Sequence, residues 1–240
     1  MLIFSHRGVE HDGADENSVK AFCHALEHGI DGIELDVRVT RDGVAVVTHD
    51  KDLRRIAGNN RMIESLLSKE LREIPLRRGS SIPELDEVTS CVPPPLLFDI
   101  EIKDAEAFQV VAKKLRTSKT LRERTIISSF HKEVIESVAK EFPGMRTFLL
   151  LRRWFVRPSK FAEWAKGIHL TGIGMGHPAW NAARVSWAHE QGLFAVAWEP
   201  FRIRSHTKRA EKLMRLGLDA VIVNQPSVYV EARDREHKNP

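Results

Sequence analysis

Cysteine is scarce. The chain carries two in 240 residues, Cys23 and Cys91, and they form no metal-ligand spacing, which excludes a thiolate metal centre. Cys23 falls on the apolar stripe of a helical pattern, so it is expected to be a buried thiol. Low cysteine use points to a reduced, cytoplasmic setting. Long apolar runs are also missing. None approaches the ~20 residues needed to cross a bilayer, so no membrane span is expected. The opening MLIFSHRG lacks the length and flanks of a signal peptide. No glycine-rich dinucleotide fingerprint follows any strand-like run, and there is no internal repeat or low-complexity tract. Neither sign of charge dominates. The net charge of +4 and pI near 9.1 come from interspersed residues, which suits an anionic substrate and gives no argument for nucleic acid or a membrane surface.

What is present centres on Gly32–Asp50, GIELDVRVTRDGVAVVTHD. Its first half alternates like a strand, so Glu34 and Asp36 share one face while Ile33, Leu35 and Val37 share the other. Arg41-Asp42-Gly43 is a turn signal, and Val44–Val47 returns as a second strand ending at His49-Asp50. Two carboxylates on one face repel unless a cation lies between them. Oxygen ligands of this kind suit Mg²⁺, Ca²⁺ or Mn²⁺. On this stretch alone, a solvated acidic face is an equal alternative.

Taken in order, the chain alternates strand and helix. Strands are expected to begin at Leu2, Gly32, Leu96, Thr125, Met145, Ile168, Leu193 and Ala220, each followed by helical sequence. Asn17 or Ser18 can cap the first helix and Gly29 stop it. Eight such units in 240 residues predict a single α/β TIM (β/α)₈ barrel over residues 1–240 rather than an open sheet. The second unit carries the extra hairpin. Residues 51–95 form an irregular, arginine-rich insertion with short helices near Ser65–Arg72 and Pro83–Ser90, too short for a substantial core of its own. The strand Leu96–Ile102 presents Asp99, Glu101 and Lys103 on one face and Phe98, Ile100 and Ile102 on the other. βαβ strands are usually buried on both faces, so acids beside a lysine there ask for an ion or an anionic ligand.

In a TIM barrel the chemistry sits at the C-terminal ends of the strands. His6-Arg7, Glu34 and Asp36, Glu101 and Lys103, Ser129 and Trp198 all fall at such ends, and the hairpin returns His49 to them. Stability alone does not call for so many ionisable groups at matching positions.

These residues also follow a known pattern. His6-Arg7-Gly8, Glu16-Asn17-Ser18, Ala21-Phe22, Ile33-Glu34-Leu35-Asp36-Val37, Asp42-Gly43, His49-Asp50, Ile82-Pro83, Ile100-Glu101-Ile102-Lys103, Ser128-Ser129-Phe130 and Trp198 stand in the order seen in the glycerophosphodiester phosphodiesterases, which the chain resembles over nearly its whole length. The resemblance implies hydrolysis of a glycerophosphodiester to an alcohol and glycerol 3-phosphate. It implies one divalent cation, Mg²⁺ or Ca²⁺, on Glu34, Asp36 and Glu101, His6 and His49 as the acid–base pair, and Arg7 and Lys103 on the phosphate. Ser129 and Trp198 are expected in the pocket. Two stretches depart from the family. Trp198-Glu199-Pro200-Phe201 replaces the usual Trp-Thr-Val-Asn, and Val223-Asn224-Gln225-Pro226 replaces Thr-Asp-x-Pro, which places the alcohol pocket in question.

The residues read by themselves agree with that chemistry. A cation can act as Lewis acid on a phosphodiester, with Arg7 and Lys103 balancing the remaining charge. Imidazole, with an unperturbed pKa of ~6.5, can take or give a proton near neutrality. The nucleophile is either water or the neighbouring glycerol hydroxyl. Two rival readings stand beside this one. A lipid-directed phosphodiesterase of the lysophospholipase D or phospholipase type would want an apolar rim, for which Trp154, Phe155 and Phe161 are candidates, although core packing suits them better. A non-catalytic phosphate-binding module would use the arginines of the insertion and would have no use for the histidines.

Overall fold

The computed structural model describes residues 1–8, 13–154, 157–199 and 206–238. Nine strands alternate with helices. The first half runs β1 (Leu2–His6), α1 (Val19–Ala25), β2 (Gly32–Val39), β3 (Ala45–Val47), α2 (Arg54–Ala57), α3 (Ser68–Arg72), α4 (Leu85–Cys91), β4 (Leu97–Ile102) and α5 (Ala105–Thr117). It continues with α6 (Lys119–Arg124), β5 (Thr125–Ser129), α7 (Lys132–Glu141), β6 (Arg146–Leu151), α8 (Pro158–Gly167) and β7 (Gly172–Gly176). The chain closes with α9 (Ala182–Glu190), β8 (Phe194–Trp198), α10 (His206–Arg215), β9 (Ala220–Val223) and α11 (Pro226–Lys238). Eight strands pair in parallel in the order β1-β2-β4-β5-β6-β7-β8-β9, and β9 returns to β1. The sheet is therefore a closed TIM barrel. β3 lies outside the ring, antiparallel to the end of β2, with Val37 opposite Val47.

Alternation along each strand divides the core in two. Ile33, Leu35 and Val37 on β2 and Phe98, Ile100 and Ile102 on β4 point outward into the helix layer. The helices answer with matching stripes. α5 buries Ala107, Phe108, Val111, Ala112 and Leu115, and Asp104 caps it by accepting from the Ala107 N–H at 2.8 Å. Inside the barrel a separate cluster of Phe4, Ile126, Phe148, Val196, Ala220 and Ile222 fills the lower layers. β7 contributes only glycine to this interior. A Cβ on Gly172 would lie 2.7 Å from the Phe148 ring and one on Gly174 would lie 2.5 Å from Leu150 Cδ2, so the bulk of β6 occupies the space that β7 leaves.

Three expectations need correction. The sixth expected strand, β7 here, begins at Gly172 and not at Ile168, because Ile168 caps α8 and the chain first turns through His169 in a left-handed conformation. Cys23 is exposed: α1 turns Ala21, Phe22 and Ala25 inward, and Cys23 falls outside that stripe. The insertion has more structure than two helices. α2, α3 and α4 lie within residues 51–95, and the buried side chains of Val46, Leu53, Ile63, Leu66, Leu71, Leu76 and Ile82 form a small cluster of their own. Among the described residues no helix is long and apolar enough to cross a membrane.

Candidate active site

The sequence His6-Arg7-Gly8 turns the chain sharply at the top of β1. Arg7 takes a left-handed backbone with φ of 57°, and Gly8 follows at 80°. A side chain on Gly8 would meet the Ala21 backbone at 2.7 Å, so glycine lets this turn rest directly on α1. Asn17 is also left-handed, and its N–H donates to the Arg7 carbonyl at 2.7 Å. Left-handed non-glycine residues are costly, and they concentrate where surrounding contacts hold them in place for a purpose. Here the contacts are with the acids of β2. The Arg7 guanidinium lies 2.9 Å from Asp36 and 3.1 Å from Glu16, and the Asn17 amide donates to Asp36 at 2.8 Å.

Register brings the acids together. Glu34 stands opposite Asp99 and Asp36 opposite Glu101 across the β2–β4 pairing. Oxygens of Glu34, Asp36 and Glu101 all lie within 4.8 Å of one another, and all three residues are buried. Lys103 reaches Asp36 at 2.6 Å and also bonds Glu101. The electrostatics differ among the three. Burial works to raise the Asp36 pKa, but Arg7 and Lys103 outweigh it and hold this carboxyl far below the usual range. Glu34 and Glu101 go the other way, raised by burial and by the Asp36 charge. Burial also pushes Asp99, one step deeper on β4, up to about 7. Three carboxylates and two cations leave the cluster one negative charge in excess, and Glu34 and Glu101 carry the strain. A buried set of hard oxygen donors under such strain could hold a divalent metal ion.

Two histidines flank the acids, with different partners. His6 Nδ1 lies 2.8 Å from Asn224 Oδ1, and its Nε2 lies 3.8 Å from Glu34. An amide oxygen only accepts, so Nδ1 carries the proton. Burial, helped by Arg7, pushes the His6 pKa down to about 3, which keeps the ring neutral. His49 instead sets Nδ1 2.7 Å from the carboxylate of Asp50, itself bonded to Arg55 at 2.6 Å. Burial would raise Asp50, but the His49 and Arg55 hydrogen bonds prevail and hold it near 2.

His6, Arg7, Glu34, His49, Glu101, Lys103 and Trp198 line one cavity of about 710 Å³ at the C-terminal end of the barrel. Ser129 does not. Alternation along β5 turns Ser128 to the cavity and Ser129 to the helix side, where its hydroxyl donates to the Ile102 carbonyl at 2.7 Å. The departure at Glu199 also reads differently in three dimensions. Its buried carboxylate lines the cavity, and it accepts from the Asn224 N–H at 2.9 Å and from the Tyr229 hydroxyl of α11, so it braces the residue that holds His6. Pro200 and Phe201 lie outside the described residues. The proposed apolar rim is packing between α8 and α9. Trp154 meets Trp180 and Trp187 edge to face at 6.4 and 5.3 Å, and Phe161 meets Trp164 at 5.4 Å, while Phe155 lies outside the described residues.

The model of the glycerophosphoryl diester phosphodiesterase family matches residues 6–228. The chain belongs to this family. A glycerophosphodiester phosphodiesterase of Bacillus altitudinis is 28% identical over 254 residues, covering 97% of this chain and 98% of the relative. The solved glycerophosphodiester phosphodiesterase of Thermotoga maritima is 26% identical with a TM-score of 0.79, over 96% of this chain and 97% of that one. An Oleispira antarctica phosphodiesterase solved in complex with the product sn-glycerol-3-phosphate shares the fold with a TM-score of 0.82 at 22% identity, over 98% of this chain and 97% of that one. This member of the glycerophosphoryl diester phosphodiesterase family is therefore an enzyme, a phosphodiesterase built on a TIM barrel.

Several site residues of this family member escape a reading by pattern. Asn224, Glu199 and Tyr229 act on His6 from the far end of the chain, and Glu16 ties Arg7 to Arg55 of the insertion. The two departures from the family's usual stretches drew attention to Glu199 and Asn224, and Glu16 stands in the Glu16-Asn17-Ser18 motif, but nothing in the pattern gave these residues their partners.

Proposed function

We propose that this enzyme hydrolyses glycerophosphodiesters to an alcohol and glycerol 3-phosphate, with a divalent cation, Mg²⁺ or Ca²⁺, held by Glu34, Asp36 and Glu101. The observation that carries the reading is the buried carboxylate triangle flanked by two histidines with opposite partners. The product complex of the Oleispira antarctica phosphodiesterase supports glycerol 3-phosphate as the retained fragment. When bound, the cation supplies Lewis-acid polarisation of a phosphate oxygen.

The chain's own residues divide the proton chemistry. His6 is neutral, and Asn224 fixes its proton on Nδ1. Its Nε2 is then the atom that takes a proton from the attacking hydroxyl, as a general base. His49 is paired with a carboxylate, and an imidazolium there is balanced by Asp50. It gives its proton from Nε2 to the departing alkoxide. Arg7 and Lys103 line the cavity and bring positive charge to the phosphate oxygens. In the described structure both are engaged by Asp36, which fixes their positions in advance of substrate. The small-molecule cavity and the paired arginines of the insertion fit this reading better than a nucleic-acid partner. The decisive test follows glycerophosphocholine cleavage by ³¹P NMR in EDTA and after adding Mg²⁺ or Ca²⁺. Metal-dependent release of glycerol 3-phosphate is expected. Equal turnover in EDTA, or a product other than glycerol 3-phosphate at completion, would overturn it.

A further inference from the structure

The cavity extends away from the carboxylates toward β5, β6 and β8, and its wall there is of a different kind. Phe130, just past β5, meets Trp198 of β8 edge to face with ring centres 6.3 Å apart. Arg152, just past β6, lays its guanidinium over the Phe130 ring, 4.9 Å from its centroid. Arg152 is exposed and lines the cavity.

Its charge balance is unlike that of the other cations there. Arg7 and Lys103 are paired with Asp36, Arg55 with Glu16 and Asp50, and Arg38 lies 3.5 Å from Asp104. Arg152 has no carboxylate partner among the described residues and is held by a ring alone. A stacked guanidinium keeps its donors at the edge of its plane, available to a planar or tetrahedral anion. Stacking on Phe130 limits its side-chain freedom, which lowers the ordering left to be done on binding.

We propose that Arg152, stacked on Phe130, forms a head-group subsite selecting diesters whose departing alcohol carries a second anionic group, a phosphate or a carboxylate. This rests on the phosphodiesterase reading above and adds to it the class of alcohol. A diester centred on Glu34, Asp36 and Glu101 of β2 and β4 sends one ester arm along the wall of β5, β6 and β8, which is where Arg152 waits. A cationic head group such as choline would meet an unbalanced guanidinium there, and a neutral one would gain only ring contact.

The test compares a matched pair of substrates, glycerophosphoinositol and glycerophosphoinositol 4-phosphate, with glycerophosphocholine as the cationic member. The expected wild-type preference for the phosphorylated member is roughly five- to twentyfold in kcat/KM, as suits one charge-assisted contact, and it resides mainly in KM. Arg152→Gln should bring the ratio within about twofold of unity and Arg152→Lys should retain part of it, while Arg152→Glu should invert it. Added salt should shrink the wild-type ratio but leave that of Arg152→Gln unmoved. A wild-type enzyme that cleaves all three without regard to head-group charge overturns this inference and leaves the phosphodiesterase reading standing. So does an Arg152→Gln ratio equal to wild type. Failure to cleave any of the three overturns both.

Discussion

Replacing Glu34 by Gln should uncouple stability from function at the acidic cluster. In the absence of metal, Glu34 is buried at 3% exposure, and its carboxyl is raised well above 4.5 by burial and by the Asp36 charge. Two carboxylate charges 4.8 Å apart, the outer limit of the cluster, repel by about 3.5 kcal/mol at an effective dielectric near 20. The Arg7 charge offsets part of this. A net relief of about 1–2 kcal/mol is left, which for a chain of this size raises Tm by about 2–8 °C in EDTA. The pH dependence has a definite sign. A carboxyl raised by folding contributes stability that is present below its unfolded value and lost as pH rises through its folded one. Metal-free wild type should therefore weaken as pH climbs above 4.5, and Glu34→Gln should flatten that slope. Metal should reverse the order. A cation at about a hundred times its Kd adds about 2.7 kcal/mol to the wild type, or about 5–10 °C, and Glu34→Gln should lose most of this together with turnover. Calorimetry in EDTA and in Mg²⁺ or Ca²⁺ reads both effects. Asp36→Asn is the contrast. It strips Arg7 and Lys103 of a buried partner at 2.9 and 2.6 Å and should cost about 3–5 kcal/mol even without metal. If Glu34→Gln is destabilised in EDTA as much as Asp36→Asn, or keeps the full metal shift, the cluster is not organised around a cation.

His6→Ala and His49→Ala should each lower kcat by about 10²–10⁴ with little change in Tm, and near wild-type turnover in either would remove that ring from the proton path. Asn224→Ala should lower kcat more than it raises KM, because the ring it holds is oriented for chemistry and not for binding; an effect confined to KM would contradict this. Tyr229→Phe removes a hydrogen bond from the buried Glu199 carboxylate and should cost about 1–3 kcal/mol, read by thermal unfolding. An unchanged Tm would mean that this hydrogen bond contributes nothing to stability.

Much of the site could be read along the chain because strand geometry is local. Alternation alone put Glu34 beside Asp36 and Glu101 beside Lys103, and the parallel register then aligned the two pairs. The same rule, applied at Ser129 with a shift of one residue, pointed to the wrong hydroxyl, since a single step exchanges cavity for helix layer. The strand β7 was misplaced for a related reason. Its inward positions are glycines, so it lacks the apolar alternation that marks a strand, and the neighbouring Ile168 and Leu170 drew attention instead. Cys23 followed an apolar stripe that was one position too wide. Contacts between remote parts of the chain left no local trace. Asn224 reaches His6 across 218 positions, and Arg152 reaches Phe130 only because β5 and β6 lie side by side.

The three inward glycines of β7 make the barrel lopsided, and this bears on how the enzyme can change. One staves-width of the interior is bare backbone, with Phe148, Leu150 and Trp198 leaning into it. Leu150 and Trp198 also line the cavity. Volume can thus be traded between β7 and its neighbours without replacing any metal-facing acid, catalytic histidine or phosphate-facing cation. A shorter residue at 150 with alanine at 174 would move the floor of the chamber sideways and alter the room for an alcohol, while the reactive end of the barrel kept its shape. Diversity in head-group choice has a route here that leaves the residues of proton transfer unsubstituted.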